Sequence, residues 1–219
     1  MKFSSANAKL AKTATIHGIA KAHYVSFNLP AQKTCPSAGN CKNWCYASTG
    51  TYLFPSSVNL RLQNFDWLRH TKNIEIMANE IHHTMIRKNK RIRVVRIHDS
   101  GDFFSTSYLY AWIKVARWNP DKLFYAYTKE VKRIKELIAE FGDDLIPSNL
   151  TLIFSFGGRH DHMIDTENDY NAKVFATRQE LESSGYVDTG KDDLTFLKTK
   201  KIGLVVHGRL ANKFKSKEV

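Results

Sequence analysis

The chain has 219 residues, with 33 Lys and Arg against 21 Asp and Glu and a formal net charge of +12. That length suits one sizeable domain able to close its own core, and 42% hydrophobic with 25% charged residues excludes a mainly disordered chain. No apolar run reaches the roughly 18–20 residues of a membrane span, and residues 1–23 lack the compact apolar stretch of a secretory signal, so the expectation is a soluble, cytoplasmic protein with no membrane partner.

Residues 1–22 are polar and basic and read as a flexible or loosely attached segment ahead of a single α/β domain at 23–219. Residues 24–29 alternate apolar and polar, which predicts a strand, and a cysteine loop at 32–47 follows it. Residues 59–89 are helical in character, in two pieces around 60–70 and 74–87, the second with Ile74, Met77, Ala78, Ile81 and Met85 on one stripe. The β-branched run 93–97 predicts a strand that enters His98-Asp99-Ser100-Gly101-Asp102. A helix over 105–118 carries the core stripe Tyr108, Trp112 and Val115, and Pro120 punctuates it. Then come a strand at 123–127, a helix at 129–141 closed by Gly142, and a strand at 150–156 ending in Gly157-Gly158-Arg159. A polar loop at 159–170, a helix at 172–183 and a strand at 201–206 complete the set. Strands alternating with helices predict an α/β fold: a parallel sheet of βα units, open or curled into a partial (β/α) barrel.

Charge is unevenly spread. No acidic residue precedes Asp66, and that stretch carries Lys2, Lys9, Lys12, Lys21, Lys33, Lys42 and Arg61. Further basic runs are Arg87, Lys88, Lys90, Arg91, Arg93 and Arg96, and the tail with Lys213, Lys215 and Lys217. Positive surface attracts polyanions through counterion release, which points to nucleic acid or a nucleotide as partner. The plainer reading is lysines that keep a surface solvated.

The three cysteines, Cys35, Cys41 and Cys45, lie within eleven residues. An odd, clustered set cannot form a complete disulfide framework and suits a reducing compartment. Thiolates converging from one glycine-bearing loop suit a [4Fe–4S] cluster with one iron open, or a zinc site completed by a histidine elsewhere. Redox-active or merely buried thiols are the third possibility.

In parallel α/β architecture ligands sit beyond the carboxyl ends of the strands, and the polar motifs of this chain collect there. Asp99 and Asp102 bracket Gly101 and could hold an amino or hydroxyl group or act as a base; Asp102 or Ser105 could equally cap the next helix. His98 is a candidate fourth ligand or a simple hydrogen-bonding residue. Arg96, in a strand expected to be buried, needs an acidic partner. Ser100 and Gly101, Thr128 and Lys129, and Gly157, Gly158 and Arg159 are candidate ligand-binding positions, the last three as a cradle of backbone N–H groups and guanidinium. Trp44 and Tyr46 flank Cys45 and could shield a cluster, stack on a base or pack in the core. His160 and His162 with Asp161 resemble a metal cluster, and the plainer reading is solvated side chains of a polar loop; His82 and His83 cannot share one helix face and are assigned no role.

The runs Leu29-Pro30-Ala31, Thr34-Cys35-Pro36, Cys41, Trp44-Cys45-Tyr46-Ala47, then Arg96 through Phe103, then Tyr125-Ala126-Tyr127-Thr128-Lys129 resemble the phage gene product 88 family, which implies a viral context and the host cytoplasm. The layout is also similar to the radical S-adenosylmethionine superfamily, although the x5, x3 cysteine spacing differs from the x3, x2 usual there. That likeness implies a barrel of radical-SAM type. It also implies a [4Fe–4S] cluster on Cys35, Cys41 and Cys45, Tyr46 beside it, and S-adenosylmethionine held near Ser100-Gly101-Asp102. The functional expectation is an iron–sulfur phage protein, a radical-SAM-like enzyme acting on a nucleotide or nucleic acid. The alternatives are a non-catalytic DNA- or RNA-binding protein with a structural metal, and a zinc-containing base-modifying enzyme using Asp99.

Overall fold

A computed structural model describes residues 1–5, 7–206 and 214. The elements are α1 (Ala8–Ile16), β1 (Tyr24–Phe27), α2 (Pro55–His70), α3 (Ile74–Lys88), β2 (Val94–Ile97), α4 (Thr106–Arg117), β3 (Leu123–Thr128), α5 (Val131–Phe141), β4 (Leu150–Ser155), β5 (Asn171–Phe175), α6 (Arg178–Ser183), β6 (Val187–Asp188) and β7 (Lys201–Val205). All seven strands form one parallel sheet in the order β1-β2-β3-β4-β5-β7-β6. The first five strands lie side by side in chain order, so successive crossovers step the same way along the sheet. The α/β class and parallel pairing agree with expectation; closure into a radical-SAM barrel is not established by this sheet.

Strand alternation divides the interior into two cores. Val25, Phe27, Val95, Ile97, Phe124 and Ala126 face a helical layer that includes Leu68, Met77, Ile81, Leu109, Trp112 and Ile134. Tyr24, Val94, Tyr125, Ile153, Ala172 and Ile202 face Leu10 and Ala14 of α1 and the loop residues Leu194 and Phe196. Full burial of each such aliphatic or aromatic side chain contributes about 1.5–3 kcal/mol.

Two expectations are corrected. The N-terminal segment is not loosely attached: Asn7 Oδ1 caps α1 by accepting from the N–H groups of Lys9 and Leu10, and Leu10 and Ala14 are buried in the second core. Ser4 also bridges Ser26 at the β1 edge. The helix expected at 172–183 is a strand followed by a shorter helix. Thr177 and Glu180 form a capping box that starts α6, so the apolar residues Ala172, Val174 and Phe175 belong to β5. The basic tail Lys213, Lys215 and Lys217 lies outside the described residues. Among the described residues no helix is long and apolar enough to cross a membrane.

Candidate functional site

Residues 28–54 leave the carboxyl end of β1 and carry the three cysteines. This loop is stitched to the ends of three other strands. After β2, Leu29 N–H donates to Ser100 O at 2.9 Å, Ser100 Oγ donates to Leu29 O at 2.8 Å, and Asp99 N–H donates to Asn28 Oδ1 at 2.9 Å. After β3, Glu130 Oε1 accepts from Ser37 N–H at 3.0 Å. After β4, Gly157 O accepts from both Gly39 and Cys41 N–H, each at 3.1 Å, and Arg159 N–H donates to Ser37 O at 2.9 Å. The strand-end motifs therefore converge on one face, as the sequence implied. Gly101 makes this closeness possible: its φ is +88°, and a Cβ there would lie 2.6 Å from Leu29 Cβ and from Thr34 Oγ1.

The thiols of Cys35, Cys41 and Cys45 are free and half-buried. Burial pushes the Cys35 thiol up to about 12, with Asp102 adding and the other two cysteines contributing in the same direction. Cys41 is also raised by burial, while Lys129 opposes the shift. Asp102 therefore lies within electrostatic reach of Cys35 and Cys41, and Lys129 within reach of Cys41. Among the described residues no three His, Cys, Asp or Glu side chains are already drawn into metal-ligand geometry. The donor chemistry still suits a soft metal, since one loop carries three free thiols within eleven residues.

His98 is not a ligand here. It is buried, packs on Phe103 with ring centroids 4.8 Å apart, and its Nε2 is 2.9 Å from Tyr108 Oη. Burial, with Arg96 adding, lowers its pKa to about 3, so it is neutral.

Asp102 is buried and fully engaged. Its Oδ1 accepts from Thr128 Oγ1 at 2.6 Å and Phe103 N–H at 2.8 Å, and its Oδ2 accepts from Lys129 N–H at 2.8 Å. Burial pushes this carboxyl up to about 6 against those donors. Asp99 accepts from Tyr52 Oη at 2.9 Å and Asn7 Nδ2 at 2.6 Å, with Arg96 Nη1 at 3.3 Å. Tyr46, though exposed on one side, donates its hydroxyl to Asp99 O. Asp99 is thus tied to the cysteine loop through Tyr52 and to the start of α1 through Asn7, whereas Asp102 joins the end of β3 to the turn after β2.

Gly157, Gly158 and Arg159 depart from the expected anion cradle. Asp161 already occupies it, accepting from Gly157 N–H at 2.7 Å and Gly158 N–H at 2.9 Å, and Arg159 is exposed. Lys129 Nζ donates to Ser155 Oγ at 2.9 Å. Beside the cysteine loop lies a cleft of about 290 Å³ lined by Asn40, Asn43, Trp44, Phe156 and Lys173 among others.

Sequence reasoning missed Asn7, Tyr52, Glu130 and Asp193, and it grouped Asp161 with His160 and His162 instead of with the two glycines. The spacing of Asp161 from the two glycines is a usable signal, because a carboxylate three or four residues on can fold back onto backbone N–H groups. No local signal marks Asp193, which pairs with Arg96 across 97 positions.

Fold and site together define a consecutively wound parallel α/β protein with a three-cysteine loop fastened over the carboxyl edge of its sheet. Residues 1–217 match the family described as Gene product 88, and the chain belongs to that family. It is similar to the Gene 88 protein of Mycobacterium phage L5, 32% identical over 112 residues that cover 48% of this chain and 47% of that one. The Gene 88 protein of Mycobacterium phage D29 is 33% identical over 139 residues, 59% of this chain and 55% of that protein. The chain thus spans about half the length of the curated relatives it matches, and their source supports the phage context. No solved structure matches the chain.

Proposed function

We propose that this is an iron–sulfur protein in which Cys35, Cys41 and Cys45 hold a [4Fe–4S] cluster whose fourth iron stays open to a small ligand. The observation that carries this reading is the set of three free thiols on one loop that leaves β1 and is tied to the ends of β2, β3 and β4. A structural zinc centre takes four protein ligands, and the nearby His98 is turned into the core. A three-ligand centre with an open position suits this donor set better.

S-adenosylmethionine is the small ligand the reading favours, with a nucleotide or nucleic acid as substrate. A reduced cluster would supply one electron at low potential to the bound sulfonium. Lys129, close enough to ease ionisation of Cys41, offsets part of the thiolate charge. Asp102 fixes the backbone of Lys129 and so the place of that cation. Tyr46 holds the far end of the cysteine loop against Asp99 O. Trp44, Asn43 and Lys173 line the adjoining cleft and offer a stacking face, an amide and a cation to a nucleotide.

Anaerobic loading with iron and sulfide, followed by equilibrium dialysis against labelled S-adenosylmethionine, tests this. Binding near one per chain that perturbs the electron paramagnetic resonance of the reduced cluster supports the assignment. A loaded cluster with no binding overturns the adenosylmethionine reading.

A further inference from the structure

The basic run around residues 87–93 finds its place at the edge of the sheet opposite the cysteines. The strands are parallel, so residues just before β1 and β2 lie at the amino edge, about 13 Å from the carboxyl edge for four-residue strands. Tyr24 and Val94 are in register, Arg93 N–H donates to His23 O at 2.9 Å, and Asn89 Nδ2 donates to Ala22 O at 3.0 Å. These bonds set Lys21 beside Lys88, Lys90, Arg91 and Arg93. All five are exposed, and none makes an ion pair with a described carboxylate. Arg87, by contrast, is bound to Glu80 at 2.7 Å.

The turn that presents these charges is rigidly held. Asn89 Oδ1 accepts from Arg91 N–H at 2.9 Å, Ile92 N–H donates to Asn89 O at 3.2 Å, and the Ile92 side chain is buried in the main core. The dipole at the end of α3 explains a cation at Lys88. It does not explain Lys21, Arg91 and Arg93, which add like charge to like charge. Trp118, 41% exposed at the end of α4, lies at the same edge with His82, ring centroids 6.0 Å apart. An exposed ring on the same edge as unpaired cations suits bases and phosphates. Insertion into a membrane calls instead for apolar side chains around the cations. The exposed Leu53 and Phe54 belong to the cysteine-loop side.

We infer that Lys21, Lys88, Lys90, Arg91 and Arg93 form a preorganised surface that binds nucleic acid through its phosphates, remote from the cysteine loop and independent of what that loop holds. Contact is through the backbone, so affinity is insensitive to base sequence and falls steeply with salt.

The test is fluorescence anisotropy of the full chain with labelled 20-nucleotide single-stranded and duplex DNA and RNA across a salt series. The variants are Lys90→Ala/Arg91→Ala/Arg93→Ala and, at the other edge, Lys33→Ala/Lys42→Ala. The triple variant should weaken binding tenfold or more and lower the log–log salt slope by about 2–3. The double variant should change affinity less than threefold. Circular dichroism checks that each variant is folded, and the single variant Arg91→Glu stands in if the triple is not. Equal losses in both variants, no loss in the triple, or preference for vesicles of anionic phospholipid over every oligonucleotide would overturn the inference.

Discussion

Replacing Arg96 with Met tests how the sheet, the N-terminal helix and the cysteine-bearing edge are joined. Arg96 projects from β2 into the second core, where Nη1 lies 2.9 Å from Asp193 Oδ2 and 3.3 Å from Asp99 Oδ1. Lys9 of α1 reaches Asp193 Oδ1 at 3.0 Å, and Tyr125 donates its hydroxyl to the same carboxylate. Burial alone would push Asp193 up, but Arg96 and then Lys9 outweigh it and hold its pKa below the ordinary value. Met matches the length of the aliphatic stem and leaves two buried carboxylates short of a partner, a loss of about 3–5 kcal/mol. At about 2–4 °C per kcal/mol for a chain of this size, the melting midpoint should fall by roughly 6–20 °C. Urea titration of Arg96→Met, Asp193→Asn and the double variant closes the cycle. A coupling of about 1 kcal/mol or more is expected for contacting groups. A loss under about 1 kcal/mol, or additivity of the two changes within about 0.5 kcal/mol, would refute the reasoning. Because the pKa of Asp193 is depressed, its contribution is present above the unfolded carboxylate value near 3.9 and is lost as pH falls through the lower folded value.

Gly101→Ala should cost about 2–4 kcal/mol from positive φ and overpacking together, and should loosen the cysteine loop. Faster proteolysis within residues 32–54 reads this out, and unchanged cleavage would contradict it. Asp102, raised by burial to about 6, holds its proton more tightly folded than unfolded. It therefore subtracts stability as pH climbs from about 4 to about 6, by roughly 3 kcal/mol in all. The stability of the wild type relative to Asp102→Asn should drop by that amount over the window in urea titrations, and a flat difference would refute the assignment. Without metal, Cys35, with its thiol pushed up to about 12, should react with iodoacetamide at pH 8 more than a hundredfold slower than a free-cysteine peptide. Mass spectrometry of timed digests measures this, and a rate near that of the peptide would exclude the buried setting.

Much of the fold was legible because apolar periodicity tracks burial. The strands over 93–97 and 123–127 and the helices over 74–87 and 105–118 match β2, β3, α3 and α4 to within a residue or two. At 172–183 the apolar spacing fits a helix as well as a strand, and only the Thr177–Glu180 capping box separates the two. In α1 the lysines disguised an amphipathic helix whose small apolar face covers the sheet. The convergence of strand-end motifs followed from parallel topology alone. What each polar group does there did not, because it depends on partners distant in sequence. Arg96 was expected to need an acid, and Asp99 is one, but Asp193 arrives from the far end of the chain. The partners of Asp99 and Asp102, namely Tyr52, Asn7, Thr128 and Lys129, lie 26 to 92 positions away and leave no local signal.

The most direct test of the cysteine centre is elemental: iron, acid-labile sulfide and zinc per chain after anaerobic purification, for the wild type and Cys41→Ala. The proposed centre predicts near four irons and four sulfides in the wild type, with loss in the variant. One zinc without sulfide, or iron retained undiminished in Cys41→Ala, would contradict it.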